Sequence, residues 1–508
     1  MSWESISSRD YLGGSASHQL SATALLGSPD GSRHPLDVCE FTEEDYRHQN
    51  GNGNNGHYQN GRSGTGIWEC LISCRKRLDQ QLARRRVNIL FNINAAILHP
   101  DDFSLFRDSI EFGNKQLCIS EELDSPNMRA EAYLNLARAH ERLGALDRAL
   151  DYARHSLYNE CDQCATAGLV HLTVGRVHLE LAGFCKALEA FQRAHKIAHS
   201  IQDPSLELQV YVGLSELFCR LQDADKSARY AARAYDLSRS LQLGDLNSRH
   251  HRAALLQMAA ALRKKGELGD AHDYCSEATR LSLVSGDQAS YARSIRIMGD
   301  IYRKKSDINK AFRQYESAMG SAAATGDRLC QMEAMDGAAR CLEALRLQHK
   351  ICNCRPLEFN TRLLEVAGSV GAKLLVRTVR SRLSRIYGSL GDEEQKGHYE
   401  RLAIAMEEDL ELRCGSCNEP FGLEADSLEA LPCSHILHAR CAYDILKRRD
   451  KKKKRLCPDC HKSVSSRLYL HCEDPHGMNT LNHSSLSLAS LRASSLATLE
   501  DCHATSSV

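Results

Sequence analysis

Residues 175–194 read Gly175-Arg-Val-His178-Leu-Glu-Leu-Ala-Gly-Phe-Cys-Lys186-Ala187-Leu188-Glu189-Ala190-Phe191-Gln-Arg-Ala194. A small residue, a large one three later and an alanine twelve after the first (Gly175, His178 and Ala187) are followed by Phe191 and Ala194. Small residues at the first and twelfth positions let two antiparallel helices approach closely, while the bulky ones fill the gap to the next unit. The same unit recurs at Ala137, His140 and Ala149, at Ser215, Phe218 and Ser227, and at Ala259, Leu262 and Ala271. It recurs again at Gly299, Tyr302 and Ala311, completed by Tyr315 and Ala318. Successive copies are 38, 40, 44 and 40 residues apart.

This unit resembles the tetratricopeptide repeat, lengthened from its usual period of about 34 residues. Weaker copies lie around Ser109, at Ala339 with Ile351, and around Ser384 with Lys396. Asp203-Pro204, Gly286-Asp287, Gly326-Asp327 and Gly391-Asp392 mark the turns between units. Apolar residues at three-to-four spacing run through residues 87–412 with almost no internal proline, and strand signals are nearly absent. The expected fold is all-α, a helical solenoid with one continuous core. A generic helical bundle shares the helicity but not the period. Leu363, Ala367, Val370 and Leu374 also share a face that could form a coiled-coil seam, although charged heptads do not persist.

The 508 residues carry 65 basic and 65 acidic side chains, with 26% charged and 42% hydrophobic content. Overall neutrality argues against a nucleic-acid binder. No apolar run approaches the roughly 18 residues of a membrane span, so any membrane contact is expected to be peripheral. The solenoid holds no Gly-rich phosphate loop, nucleophile signature or paired metal-binding helix motif, which points to contact rather than catalysis. With no apolar signal peptide and most of its 21 cysteines scattered through helical stretches, the chain is expected in a reducing compartment.

Cys414 with Cys417, Cys433 with His435, His438 with Cys441, and Cys457 with Cys460 form four tight pairs of metal-ligand residues. Thiolate and neutral imidazole are the ligands of tetrahedral structural zinc, and eight of them imply two ions. Every position would be filled by protein, leaving none for a catalytic water. Some 50 residues bury too little apolar surface to fold reliably alone, whereas structural zinc contributes roughly 10–16 kcal/mol to such modules. The spacing is similar to the RING finger. That resemblance implies interleaving, with Cys414, Cys417, His438 and Cys441 on one zinc and Cys433, His435, Cys457 and Cys460 on the other. Spacing alone shows two sites, not their interleaving.

The expected organisation is a disordered head over 1–66, an apolar and basic lead-in over 67–86, the repeat array over 87–412, the finger over 413–463 and a disordered tail over 464–508. In the lead-in, Cys70 and Cys74 stand beside Trp68, Leu71 and Ile72 and before Arg75, Lys76, Arg77, Arg84, Arg85 and Arg86. This is a candidate lipidation and anionic-membrane segment, the alternative being partly buried cysteines at a domain edge. The run Lys447-Arg448-Arg449-Asp450-Lys451-Lys452-Lys453-Lys454-Arg455 reads either as a solvated helix end or as a contact for anionic lipid or an acidic protein tail.

Extended repeats running straight into a RING finger, with Tyr133-Leu134-Asn135-Leu136-Ala137-Arg138, Lys186-Ala187-Leu188-Glu189 and Leu428-Glu429-Ala430-Leu431-Pro432-Cys433-Ser434-His435-Ile436, resemble the rapsyn family over roughly residues 85–462. The resemblance implies a cytoplasmic, cytoskeleton-associated scaffold on the cytoplasmic face of the postsynaptic membrane, as at the neuromuscular junction. Its implied partners are nicotinic acetylcholine receptor cytoplasmic loops, cytoskeletal or dystroglycan-type linker proteins, and further copies of itself. Met1-Ser2-Trp3 stands where the family begins Met-Gly, so an N-terminal acyl anchor is not expected. The head also replaces the family's first repeat, and the lysine-rich loop is longer. The alternative function is a ubiquitin-like protein ligase whose repeats hold the substrate and whose RING binds a conjugating enzyme through Ser416, Ile445 and Pro458. Ser416 departs from the aliphatic residue expected there, and His461 from the expected Arg.

Overall fold

A computed structural model describes residues 106–159, 164–241, 245–422, 427–447 and 455–468. The head, the lead-in with Cys70 and Cys74, residues 448–454 of the lysine-rich run, and the tail from 469 lie outside the described residues. Among the described residues, fifteen helices precede the finger: α1 Phe106–Glu122, α2 Pro126–Arg142, α3 Leu146–Asn159, α4 Ala165–Glu180, α5 Phe184–Ile201, α6 Pro204–Arg220, α7 Ala224–Ser240, α8 Asp245–Lys265, α9 Leu268–Ser285, α10 Gln288–Lys304, α11 Ile308–Thr325, α12 Arg328–Leu347, α13 Cys354–Val370, α14 Lys373–Leu390 and α15 Glu393–Asp409. Consecutive helices pair in the order the repeat predicts, from α2 with α3 to α14 with α15. None is long and apolar enough to cross a membrane.

The Gly-Asp pairs read as turns are helix-to-helix joints. Gly286 and Gly326 close α9 and α11 with φ of 74° and 76°, a left-handed conformation that glycine adopts without a Cβ penalty. The aspartate that follows then caps the next helix: Asp287 accepts from the Ser290 N–H at 2.8 Å, and Asp327 from the Cys330 N–H at 3.1 Å.

Between helices, the small residues do what their spacing demands. Ala137 and Ala149, and Ala259 and Ala271, are fully buried. Ser215 and Ser227 each donate a hydroxyl proton to the other's carbonyl at 2.8 Å. Where the facing residue is an aromatic ring, glycines flank it on both sides. A Cβ added to Gly175 or Gly213 would lie 2.4 or 2.7 Å from the Phe191 ring, and one added to Gly299 or Gly337 would lie 2.9 or 2.2 Å from that of Tyr315.

The array curls until it meets itself. Leu146, Ala149 and Val177 share one core with Leu363, Ala367 and Val370, and a Cβ on Gly144 would meet Val370 at 2.9 Å. The apolar face at 363–370 is therefore repeat core that closes the superhelix, not a coiled-coil seam.

The finger follows α15. Strand β1 (Leu428–Ala430) pairs antiparallel with β2 (Ile436–His438), Leu428 opposite His438, and α16 spans Ala439–Lys447. It is seated on the array. One carboxylate oxygen of Asp223 caps α7 at the Lys226 N–H (2.8 Å), and the other accepts the Leu428 N–H (2.8 Å). Lys226, only 4% exposed, donates its ammonium to the Leu428 carbonyl at 2.7 Å and lies 3.4 Å from Glu429. At the start of α5, the Cys185 N–H donates to Glu411 at 2.7 Å.

Candidate functional site

Two matching knuckles and the β1–β2 hairpin build the metal-ligand sets. In the first knuckle the Asn418 N–H returns to the Cys414 carbonyl at 2.8 Å, and in the second the His461 N–H returns to that of Cys457 at 3.0 Å. Both returning residues are left-handed, Asn418 at φ 57° and His461 at φ 55°. Each tight turn aims its two cysteines at one point. His438 at the end of β2 and Cys441 in the first turn of α16 complete one set, while Cys433 and His435 across the hairpin turn complete the other.

The ligand atoms of Cys414, Cys417, His438 and Cys441 all lie within 4.8 Å of one another, as do those of Cys433, His435, Cys457 and Cys460. The pairs interleave as the RING resemblance implied. Burial and the neighbouring Cys414 and Cys417 sulfurs push the Cys441 thiol up to about 12. Burial and Cys433 do the same to Cys457. His435 Nδ1 is buried with no hydrogen-bond partner. Crowded thiols and an orphaned imidazole nitrogen are groups that a cation satisfies, and three thiolates with one imidazole fit a closed four-coordinate structural metal.

The second feature is a cavity of about 1430 Å³ inside the curled array, lined mostly by the first helices of the repeats, with Ser321 and Thr325 of α11 and Arg413, Pro420 and Phe421 of the finger also reaching it. Its walls hold twelve Arg and Lys against seven Asp and Glu. A ladder of ion pairs runs along it: Glu141 with Arg176 at 3.3 Å, Glu180 with Arg220 at 2.5 Å, and Arg296 with Glu333 at 3.1 Å. Arg220 also lies 3.9 Å from Glu333, on the far wall. Glu180, Glu216 and Glu333 converge closely enough to hold a metal, but Arg220 already sits among them. Burial would raise the Asp300 carboxyl, yet Arg263, Arg296 and the Tyr315 hydroxyl together draw it down to about 2. Arg138 has no carboxylate within ion-pair distance among the described residues, and burial beside Arg249 and Arg176 lowers its guanidinium to about 9.

Against this geometry, two comparisons bear on identity. The chain is 31% identical over 374 residues to the "43 kDa receptor-associated protein of the synapse" of Tetronarce californica, covering 73% of this chain and 87% of that protein. The chain belongs to the rapsyn family. The Gallus gallus protein of the same name is 31% identical over 360 residues, covering 70% of this chain and 84% of its own. A solved structure, a Rap protein complexed with competence and sporulation factor, is 13% identical at a TM-score of 0.47, covering 65% of this chain and 99% of that one. No family model matches the chain.

The three residues of the conjugating-enzyme face that the ligase alternative expects differ in exposure. Ser416 is exposed and Pro458 half-buried, but Ile445 is 2% exposed inside the finger core with Leu431, Leu437 and Ala442. Ile445 lies four residues after Cys441, one helical turn on, so it shares the inward face of that ligand. Tyr443, midway between them, points out, at 50% exposure, as does Asp444. The inner channel went unread in the sequence, although it left a signal. One and five residues after the first small position stand Arg138 and Arg142, Arg176 and Glu180, and Glu216 and Arg220, charged pairs on one helical face.

Proposed function

We propose that this protein is a non-enzymatic scaffold that gathers nicotinic acetylcholine receptors on the cytoplasmic face of the postsynaptic membrane. The observation that carries the reading is the likeness to 87% of a relative whose name is a receptor-associated protein of the synapse. In this proposal receptor cytoplasmic loops contact the repeat array, where the basic inner channel with its unpaired Arg138 offers a place for acidic segments. Two zinc ions hold the finger, which presents a second surface to cytoskeletal or dystroglycan-type linker proteins, and copies of the chain associate with one another. Membrane contact runs through residues 67–86, with S-acylation at Cys70 and Cys74 and the six basic residues on anionic lipid as two anchoring signals. Ligase chemistry is not part of the proposal, because Ile445, the aliphatic residue meant to meet a conjugating enzyme, lies inside the finger.

The test is co-expression with nicotinic receptor subunits in cells that make neither, imaging receptor distribution. Wild-type protein gathers receptor into patches, and R138E disperses them while the protein stays folded. Evenly spread receptor beside abundant wild-type protein overturns the scaffold reading. In the same cells without receptor, C70S with C74S, and separately neutralisation of the six basics, shift protein to the soluble fraction. No shift with either removes the membrane role of the segment.

A further inference from the structure

Outside the finger, the described cysteines differ sharply in their chemistry. Cys275, Cys330 and Cys341 are buried between helices, and burial pushes each thiol up to about 12, which leaves them unreactive. Cys352 and Cys354 are both exposed at the start of α13, with their sulfurs 2.6 Å apart. The contact with Cys354, with the backbone amides at the start of the helix beside it, lowers the Cys352 thiol below the ordinary range. The same contact raises Cys354. One sulfur is thus disposed to be a thiolate and its neighbour to keep the proton, the division of labour of a reactive dithiol.

We propose that Cys352 and Cys354 form a redox site, oxidised by a hydroperoxide to an intramolecular disulfide and restored by a low-molecular-weight thiol. The Cys352 thiolate attacks one peroxide oxygen, the O–O bond breaks, and the leaving hydroxide takes a proton to become water. Cys352 is now a sulfenic acid. Cys354 gives up its proton and attacks the Cys352 sulfur, so that an S–S bond forms, the S–O bond breaks and a second water leaves. Two electrons pass from the thiols to the peroxide. In the reverse direction two small thiols supply them and become a disulfide. Oxidation would also tie Cys354, the first residue of α13, to Cys352 just ahead of it, at the head of the helix whose Leu363, Ala367 and Val370 close the superhelix.

The full-length protein is titrated with hydrogen peroxide from sub-stoichiometric amounts, quenched with N-ethylmaleimide, digested and weighed. The peptide carrying both residues is expected to lose two hydrogens before exposed Cys118 or the finger cysteines react, and to regain them with dithiothreitol. C354S should stop at a dimedone-reactive Cys352, and C352S should slow oxidation of Cys354 at least tenfold. A peptide still doubly alkylated when Cys118 is already oxidised overturns the proposal, as does a C352S protein that reacts at the wild-type rate.

Discussion

Replacing Asp223 by Ala tests whether the finger is seated on the array by specific bonds or merely lies against it. The change removes two hydrogen bonds from one carboxylate, the cap on α7 at 2.8 Å and the acceptor for the Leu428 N–H at 2.8 Å. Loss of a cap costs about 1 kcal/mol. Leu428 is 1% exposed, so its N–H is left buried without an acceptor, which costs a further 1–3 kcal/mol or so. Asp307 separates the two contributions, because it caps α11 through the Lys310 N–H at 3.2 Å and touches no part of the finger. In urea unfolding, Asp223→Ala is expected to exceed Asp307→Ala by about 1–3 kcal/mol. Hydrogen exchange should quicken at the Leu428 amide, and protease should nick the finger sooner. Asp223→Asn keeps the capping oxygen but turns a donor toward the Leu428 N–H, so it should reproduce the excess without the loss of the cap. Equal costs for Asp223→Ala and Asp307→Ala, with unchanged exchange at Leu428, would refute the reasoning.

Gly337→Ala places a Cβ 2.2 Å from the Tyr315 ring, and overpacking of about 1–3 kcal/mol outweighs the roughly 1 kcal/mol that alanine adds to a helix. Thermal unfolding should fall for Gly337→Ala and rise for Gly320→Ala, where a Cβ meets nothing within 4 Å. Chelation should release two metal ions per chain and unfold the finger while circular dichroism retains the helices of the array, and Cys441→Ser should release only one. Asp300, held down to about 2, stabilises the array fully above the usual carboxylate range near 4, and that contribution is lost as the pH falls from about 4 to 2. Asp300→Asn should flatten this part of the stability profile measured by urea titration at each pH.

How much could be read in advance followed from the range of each interaction along the chain. The repeat was legible because its small residues and their partners stand within twenty positions, and the Gly-Asp joints because both halves of the joint are adjacent. The interleaving of the metal pairs came through family resemblance, since spacing constrains only neighbours. Asp223 meeting Leu428, and Gly144 meeting Val370, join residues more than two hundred positions apart, and nothing local in either stretch records its partner. The flanking of Phe191 by Gly175 and Gly213 was half visible. Gly175 falls on the repeat, but Gly213 lies two positions before the small residue of the next unit and belongs to no counted position. The burial of Ile445 could not be read from its sequence, because apolarity alone cannot say whether a helical residue faces the metal or the solvent.

The meeting of the two arms of the array at Gly144 and Val370 changes what kind of object the solenoid is. In a linear stack each unit senses only its neighbours, so ends peel away cheaply and melting can spread inward step by step. Joining the arms makes a hoop. A unit lying between the joined arms cannot peel from an end unless the joint also parts, so local damage is resisted until that joint gives and the intervening units then loosen in concert. The seam formed by Leu146, Ala149 and Val177 with Leu363, Ala367 and Val370 is therefore the fuse of the molecule, the place where a small loss of packing is felt by repeats that it does not touch.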